Sequence, residues 1–178
     1  GYEDPPRWVI EGYSTIFAEL AEQLAAPPDV VMVPLGVGAL GAAAATNFRG
    51  PTLVGVEPDS AACVAAAVEA GEIVEVPGPH RSIMAGLNCG FASPVALPTV
   101  TAGFTAFVSV TDERCREAIR TLAESGLDVG ETGVAAFAGL LTLTDTASLP
   151  TDTRVLLLAT EGVTDPANFE SIVGRPPR

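Results

Sequence analysis

Val30-Val31-Met32-Val33-Pro34-Leu35-Gly36-Val37-Gly38-Ala39-Leu40-Gly41 is the stretch that decides how this chain folds. Its first four residues are apolar without alternation, which suits a strand covered on both faces, as in a parallel sheet. Glycines at 36 and 38 then let the backbone turn sharply, and Leu40 to Phe48 continues as an alanine-rich helix. The segment from Val30 to Phe48 carries no charge, but Pro34 and its three glycines divide it into strand and helix rather than a membrane span.

Working outward, the same alternation of elements recurs. After Pro51 a second strand, Leu53-Val54-Gly55-Val56, ends at Glu57-Pro58-Asp59, and Ser60 is placed to cap a helix that runs to Ala70 and stops at Gly71. Upstream, Pro6 opens a helix whose apolar stripe is Trp8, Ile10, Ile16, Phe17, Leu20 and Leu24, ending before Pro27-Pro28. Downstream, Glu72 to Thr101 has no sustained period and reads as a long loop with short helices. Phe104 to Val110 is a third strand, and Thr111 caps a helix with Arg114 to Ala123 in its body. Gly130 to Thr144 reads as a glycine-initiated helix, Arg154 to Thr160 as a fourth strand, and Pro166 to Val173 as a last helix. Short links between strands and helices imply βαβ units. The expected fold is a three-layer α/β sandwich, a mainly parallel sheet flanked by helices. No repeat or long linker divides residues 1–178, so a single domain is expected.

Composition narrows the function. The chain is 48% apolar and 17% charged, which argues against disorder. Its net charge is −13, and all nine basic residues are arginines. Such a chain offers no electrostatic footprint for nucleic acid or an anionic membrane, so small molecules or other subunits are the expected partners. The cysteines, Cys63, Cys89 and Cys115, are odd in number and lack metal-site spacing, so reduced thiols in a cytoplasmic protein and no metal are expected. The first residues, Gly1-Tyr2-Glu3-Asp4, do not resemble a signal peptide.

Four places carry candidate chemistry. Gly36-Val37-Gly38-Ala39-Leu40 lies between strand and helix, where backbone N–H groups and the helix dipole favour an anion. A tight βα turn explains the same glycines. The spacing Gly36, Gly38, Gly41 also matches a dinucleotide fingerprint, in which Glu57 at the next strand end would take the ribose hydroxyls of NAD(P). Gly130-Glu131-Thr132-Gly133 and Thr160-Glu161-Gly162 lie at a helix start and a strand end. Each could instead be caps and first-turn acids. Ser82-Ile83-Met84-Ala85-Gly86-Leu87-Asn88-Cys89-Gly90 fits neither period and could line a site. Cys89 with His80 as base is a poor candidate pair, and His80 reads as a surface loop residue.

Taken in order, W-V-I-E-G-Y-S-T at 8–15, Gly36 to Leu40, V-E-P-D at 56–59, I-M-A-G-L-N-C-G at 83–90, E-T-G at 131–133 and T-E-G at 160–162 resemble the C-terminal part of a pyridoxal-phosphate (PLP) enzyme. The fold type is that of tryptophan synthase β and threonine dehydratase (fold type II), and the sequence is most similar to the diaminopropionate ammonia-lyases. The resemblance starts at Gly1-Tyr2 and implies part of the large domain of such an enzyme. It implies that Gly36, Val37, Gly38, Ala39 and Leu40 hold the cofactor phosphate and that Thr160 faces the pyridine nitrogen. Glu131 would lie near the ring, and Met84, Ala85 and Gly86 would border the substrate. It further implies β-elimination of 2,3-diaminopropionate or a similar amino acid to pyruvate and ammonia, by a homodimer. The lysine that such enzymes use as Schiff-base anchor is missing, since the chain contains none. The expectation is therefore a piece of an enzyme — a proteolytic or cloned fragment, or a split subunit — without catalytic residues of its own and inactive alone. A dinucleotide-binding oxidoreductase domain and a non-catalytic partner subunit remain as alternatives.

Overall fold

Four parallel strands form one sheet in the order β3-β2-β1-β4: β1 (Val30–Pro34), β2 (Thr52–Pro58), β3 (Ala106–Val110) and β4 (Val155–Leu157). The computed structural model describes residues 3–178. Gly1 and Tyr2, where the family resemblance begins, lie outside them.

β1 is buried at every position, and the sheet shows why its apolar run does not alternate. Val31, Val33, Leu35 and Leu53 pack into one core beneath α1 (Asp4–Gln23), α2 (Ala39–Asn47), α3 (Cys63–Ala70) and α4 (Leu97–Gly103). Val30, Met32, Val54 and Val56 pack into a second core beneath α5 (Asp112–Glu124), α6 (Ala135–Thr146) and α7 (Pro166–Val173). Two cores on two faces of one sheet make the three layers expected of the sequence. Small residues set the layer spacing. A Cβ at Gly139 of α6 would fall on the Val56 side chain, so glycine lets this helix lie directly on the sheet.

Several expected details change. Trp8 sits on α1 but is 65% exposed, while Phe17 of the same stripe is buried. Ser60 caps nothing: Asp59–Ala61 is a short 3-10 turn, and α3 starts after Ala62. Gly71 ends α3 with φ 72°, as the sequence implied. The irregular 72–101 stretch, expected as a loop with short helices, runs into the short helix Leu97–Gly103. α6 begins at Ala135, so Gly130 to Val134 precede the helix instead of starting it. Thr111 does cap α5, its hydroxyl accepting from the Arg114 N–H at 3.2 Å. The C-terminal segment is tied down by Arg175, whose guanidinium donates to both Asp128 oxygens at 2.6 and 3.0 Å.

Among the described residues, no helix is long and apolar enough to cross a membrane.

Candidate functional site

The strand order reverses around β1, which has β2 on one side and β4, reached through α5 and α6, on the other. Open α/β sheets bind ligands outside the strand carboxyl ends at such a switch point. A cavity of about 390 Å³ lies there, between the residues that follow β1 and those that follow β4. Gly36, Val37, Gly38, Ala39 and Leu40 line one side, and Thr160 and Glu161 the other. A second depression of about 670 Å³ adjoins it through Val9, Val37 and Ala39. It is roomier but mostly apolar, so the chemistry points to the smaller one.

The first wall is shaped by what its glycines lack. A Cβ on Gly36 would stand 3.2 Å from the Gly86 carbonyl oxygen and 3.3 Å from Cys89 Sγ, where little room remains. Gly38 has φ 96°, a left-handed conformation that costs an L side chain about 1–2 kcal/mol. It is also the N-cap of α2, and no side chain caps that helix. The first-turn N–H groups at Ala39, Leu40 and Gly41 therefore stand free to meet an anion. Among the described residues, no basic side chain lines the cavity, so these N–H groups and the dipole are its positive features.

The opposite wall is built by close backbone contact. A Cβ on Gly130 would fall on the Gly162 carbonyl, and one on Gly133 on the Glu161 carbonyl. Glycine at both positions lets the 130–133 turn rest directly on 161–163. Thr132, carried on that turn, lines the cavity and accepts from the Gly86 N–H at 3.2 Å. Glu161 accepts from the Thr164 hydroxyl at 2.8 Å, which fixes its carboxylate. The 82–90 loop is held by its own polar groups. Ser82 N–H donates to Asn88 Oδ1 at 3.1 Å, and Asn88 Nδ2 donates to the Ser82 carbonyl at 2.8 Å. Ser82 Oγ and the Ile83 N–H both donate to Asp112 Oδ1, at 2.7 and 3.1 Å.

Some expected site residues lie elsewhere. Glu131 is buried, its carboxylate accepts from Asn168 Nδ2 of α7, and it does not line the cavity. Its neighbour Thr132 takes that place. Met84 is fully buried in the second core, and Ala85 is exposed without lining the cavity. Of the three residues expected on the substrate side, Gly86 reaches it. Tyr13 and Val9 of α1 also line the cavity and were missed. Both lie in the W-V-I-E-G-Y-S-T segment but outside the apolar stripe, and nothing local marked them as site residues.

Glu57 overturns the dinucleotide reading. It is 1% exposed, and its two carboxylate oxygens accept from the Val64 and Ala65 N–H groups at 2.8 Å each. Both oxygens are committed to the first turn of α3, so neither is available for a ribose. Burial pushes its carboxyl up to about 7, although the two N–H donors pull the other way. The cysteines are not activated nucleophiles. Burial raises the Cys89 thiol above its ordinary value, with a further push from Glu57, and burial raises Cys63 and Cys115 to about 12. His80 bonds the Val76 carbonyl oxygen at 2.8 Å, an ordinary loop contact. Among the described residues, no group of three or more His, Cys, Asp or Glu is placed to hold a metal ion.

A parallel sheet with an uncapped, glycine-led helix start at its switch point defines an α/β domain of the kind that grips a phosphate-bearing cofactor. Thr160, which carries a hydroxyl, lines the same cavity as the glycines. The chain belongs to the pyridoxal-phosphate dependent enzyme family, whose profile matches residues 2–161. It is 31% identical to the diaminopropionate ammonia-lyase of Salmonella typhimurium over 97% of this chain and 50% of that protein. It is 34% identical to the biosynthetic L-threonine dehydratase of Mycobacterium leprae over 85% of this chain and 36% of that one. Among solved structures, the Escherichia coli diaminopropionate ammonia-lyase in complex with a PLP reaction intermediate superposes with a TM-score of 0.85. That pair is 28% identical, over 97% of this chain and 50% of that one. The chain thus spans about half the length of the curated diaminopropionate ammonia-lyases it matches. The family and these relatives are PLP-dependent. The residues present fit such a cofactor: an uncapped helix start suits its phosphate, and the glycine surfaces leave room for it.

Proposed function

We propose that this chain supplies the cofactor-holding part of an ammonia-lyase acting on 2,3-diaminopropionate or a similar β-substituted amino acid. The N–H groups at the start of α2, with Gly36, Val37, Gly38, Ala39 and Leu40 around them, bind the cofactor phosphate. The Thr160 hydroxyl meets the pyridine nitrogen, and Gly86 with Thr132 limits the substrate side. When bound, PLP acts as the electron sink for the bond-breaking chemistry. The chain's own residues bind and orient, and keep water from the ring. The overall change converts 2,3-diaminopropionate and one water into pyruvate and two ammonia molecules.

The chain has no lysine, so the Schiff-base anchor comes from a segment outside these 178 residues, and the chain alone does not turn over substrate. In this reading residues 1–178 are a single domain, the C-terminal portion of a cytoplasmic homodimeric lyase. The similarity to diaminopropionate ammonia-lyases along 97% of the chain supports the substrate class.

One observation carries the reading: the uncapped α2 start and Thr160 face one cavity at the switch point. The test compares PLP with pyridoxal, which lacks the phosphate. PLP is expected to bind the chain at least about tenfold more tightly, the weight of one well-placed anion at a helix start. Equal affinities would sink the phosphate cradle. Adding the lysine-bearing N-terminal segment of a diaminopropionate ammonia-lyase should then yield pyruvate from 2,3-diaminopropionate, and serine or threonine turnover alone would move the substrate class.

A further inference from the structure

Glu57 is a buried acid that the proposed chemistry does not use, yet its surroundings lead back to the phosphate loop. Its two oxygens hold the Val64 and Ala65 N–H groups at 2.8 Å and so fix the first turn of α3. That turn touches the loop twice. The Cys63 thiol, at its first helical position, donates to the Gly36 carbonyl at 3.4 Å. The Val64 Cγ2 methyl stands 3.5 Å from where a Cβ on Gly38 would be, so it packs on the bare face of that glycine. Gly36 and Gly38 in turn decide where the α2 N–H groups point. We propose that Glu57 is a positioning residue for the cofactor-phosphate loop, acting through the first turn of α3.

The physical basis is rigidity at the far side of the loop. Gly38, in a left-handed conformation with no Cβ, has many accessible backbone states when unsupported. Packing Val64 against it and bonding Cys63 to Gly36 selects one of them, so less ordering is left for phosphate binding to accomplish. The carboxylate supplies two acceptors facing two neighbouring donors, an arrangement few side chains reproduce. Glutamine fills the same volume, but its NH₂ would oppose one N–H, so one of the two bonds is lost.

This inference rests on the cradle reading above, and its test separates the two. The readout is the ratio of pyridoxal to PLP dissociation constants, measured on the 178-residue chain and on Glu57→Gln at about pH 8.5, where Glu57 is ionised, with circular dichroism as a check on the fold. The variant should lower that ratio at least about fivefold while leaving pyridoxal affinity within about twofold, since only the phosphate contact depends on the loop. A merely structural role would weaken both ligands alike. An unchanged ratio in the folded variant overturns the inference alone. A ratio near one in the unaltered chain overturns the cradle and the positioning role together. Should Glu57→Gln fail to fold, hydrogen exchange in the unaltered chain decides. Coupling is reciprocal, so PLP binding should slow exchange at the Val64 and Ala65 N–H groups as well as in the loop. Slowing confined to Gly36–Gly41 would sink the positioning role.

Discussion

The turn after β1 and the turn after β2 lie side by side on the same sheet edge and lead into helices of similar length, yet they end in opposite conditions. After β2, α3 receives a carboxylate from within the protein: Glu57 occupies the N–H groups of Val64 and Ala65. After β1, α2 receives no side-chain cap from the described residues, and its first turn opens onto a cavity. A helix start whose donors are filled internally is structure. One left unfilled beside a cavity can bind. Both turns show glycine or acid at a strand end in the sequence, so the distinction rests on which donors are already taken.

The largest expected way to probe this contrast is pH. Folded Glu57 titrates near 7, above its ordinary 4.5, so the folded state holds an extra proton between those values. Its contribution to stability is fully present below about 4.5 and is lost as pH rises through about 7. A shift of that size corresponds to about 3 kcal/mol. Urea unfolding midpoints of the unaltered chain, minus those of Glu57→Gln, should fall across that window. A flat difference would show that the buried cap carries no such linkage.

Next in size, Gly38→Ala places a Cβ at φ 96° and should cost about 1–2 kcal/mol in urea unfolding. It should also reduce the preference for PLP over pyridoxal, because the α2 donors shift. Loss of stability with the preference intact would separate the loop's strain from its binding role. Smallest is Thr111→Ala, which removes an exposed helix cap on α5 at a residue that does not line the cavity. It should cost about 1 kcal/mol and leave PLP affinity unchanged. A change in affinity would mean that capping anywhere in the fold reaches the cradle, and the contrast between α2 and α3 would lose its meaning.

Much of the fold was legible because its signals are local. An unalternating apolar run, a glycine turn and an alanine-rich helix define β1 and α2, and Thr111 and Gly71 mark their helix ends by known backbone chemistry. The glycine wall of the cavity was legible as far as Gly36 to Leu40. What was not legible depends on contacts distant in sequence. Glu57 reads as a strand-end acid, but it is the packing of α3 that buries it. Glu131 and Thr132 are neighbours, and only the seating of Gly130 and Gly133 on the 161–163 backbone decides which one faces the cavity. Met84 looks like a site residue by its irregular surroundings and is core because the loop folds back on Asp112.

That seating of Gly130 and Gly133 bears on how such a protein can change over time. Where two side chains meet, drift can exchange one shape for another and the neighbours repack. Here main chain touches main chain, with no rotamers to rearrange and no volume to trade. Any substitution at either position adds atoms where there is no room for them. This wall of the cavity therefore cannot be reshaped one residue at a time: a side chain at Gly130 or Gly133 has to move main chain before it fits.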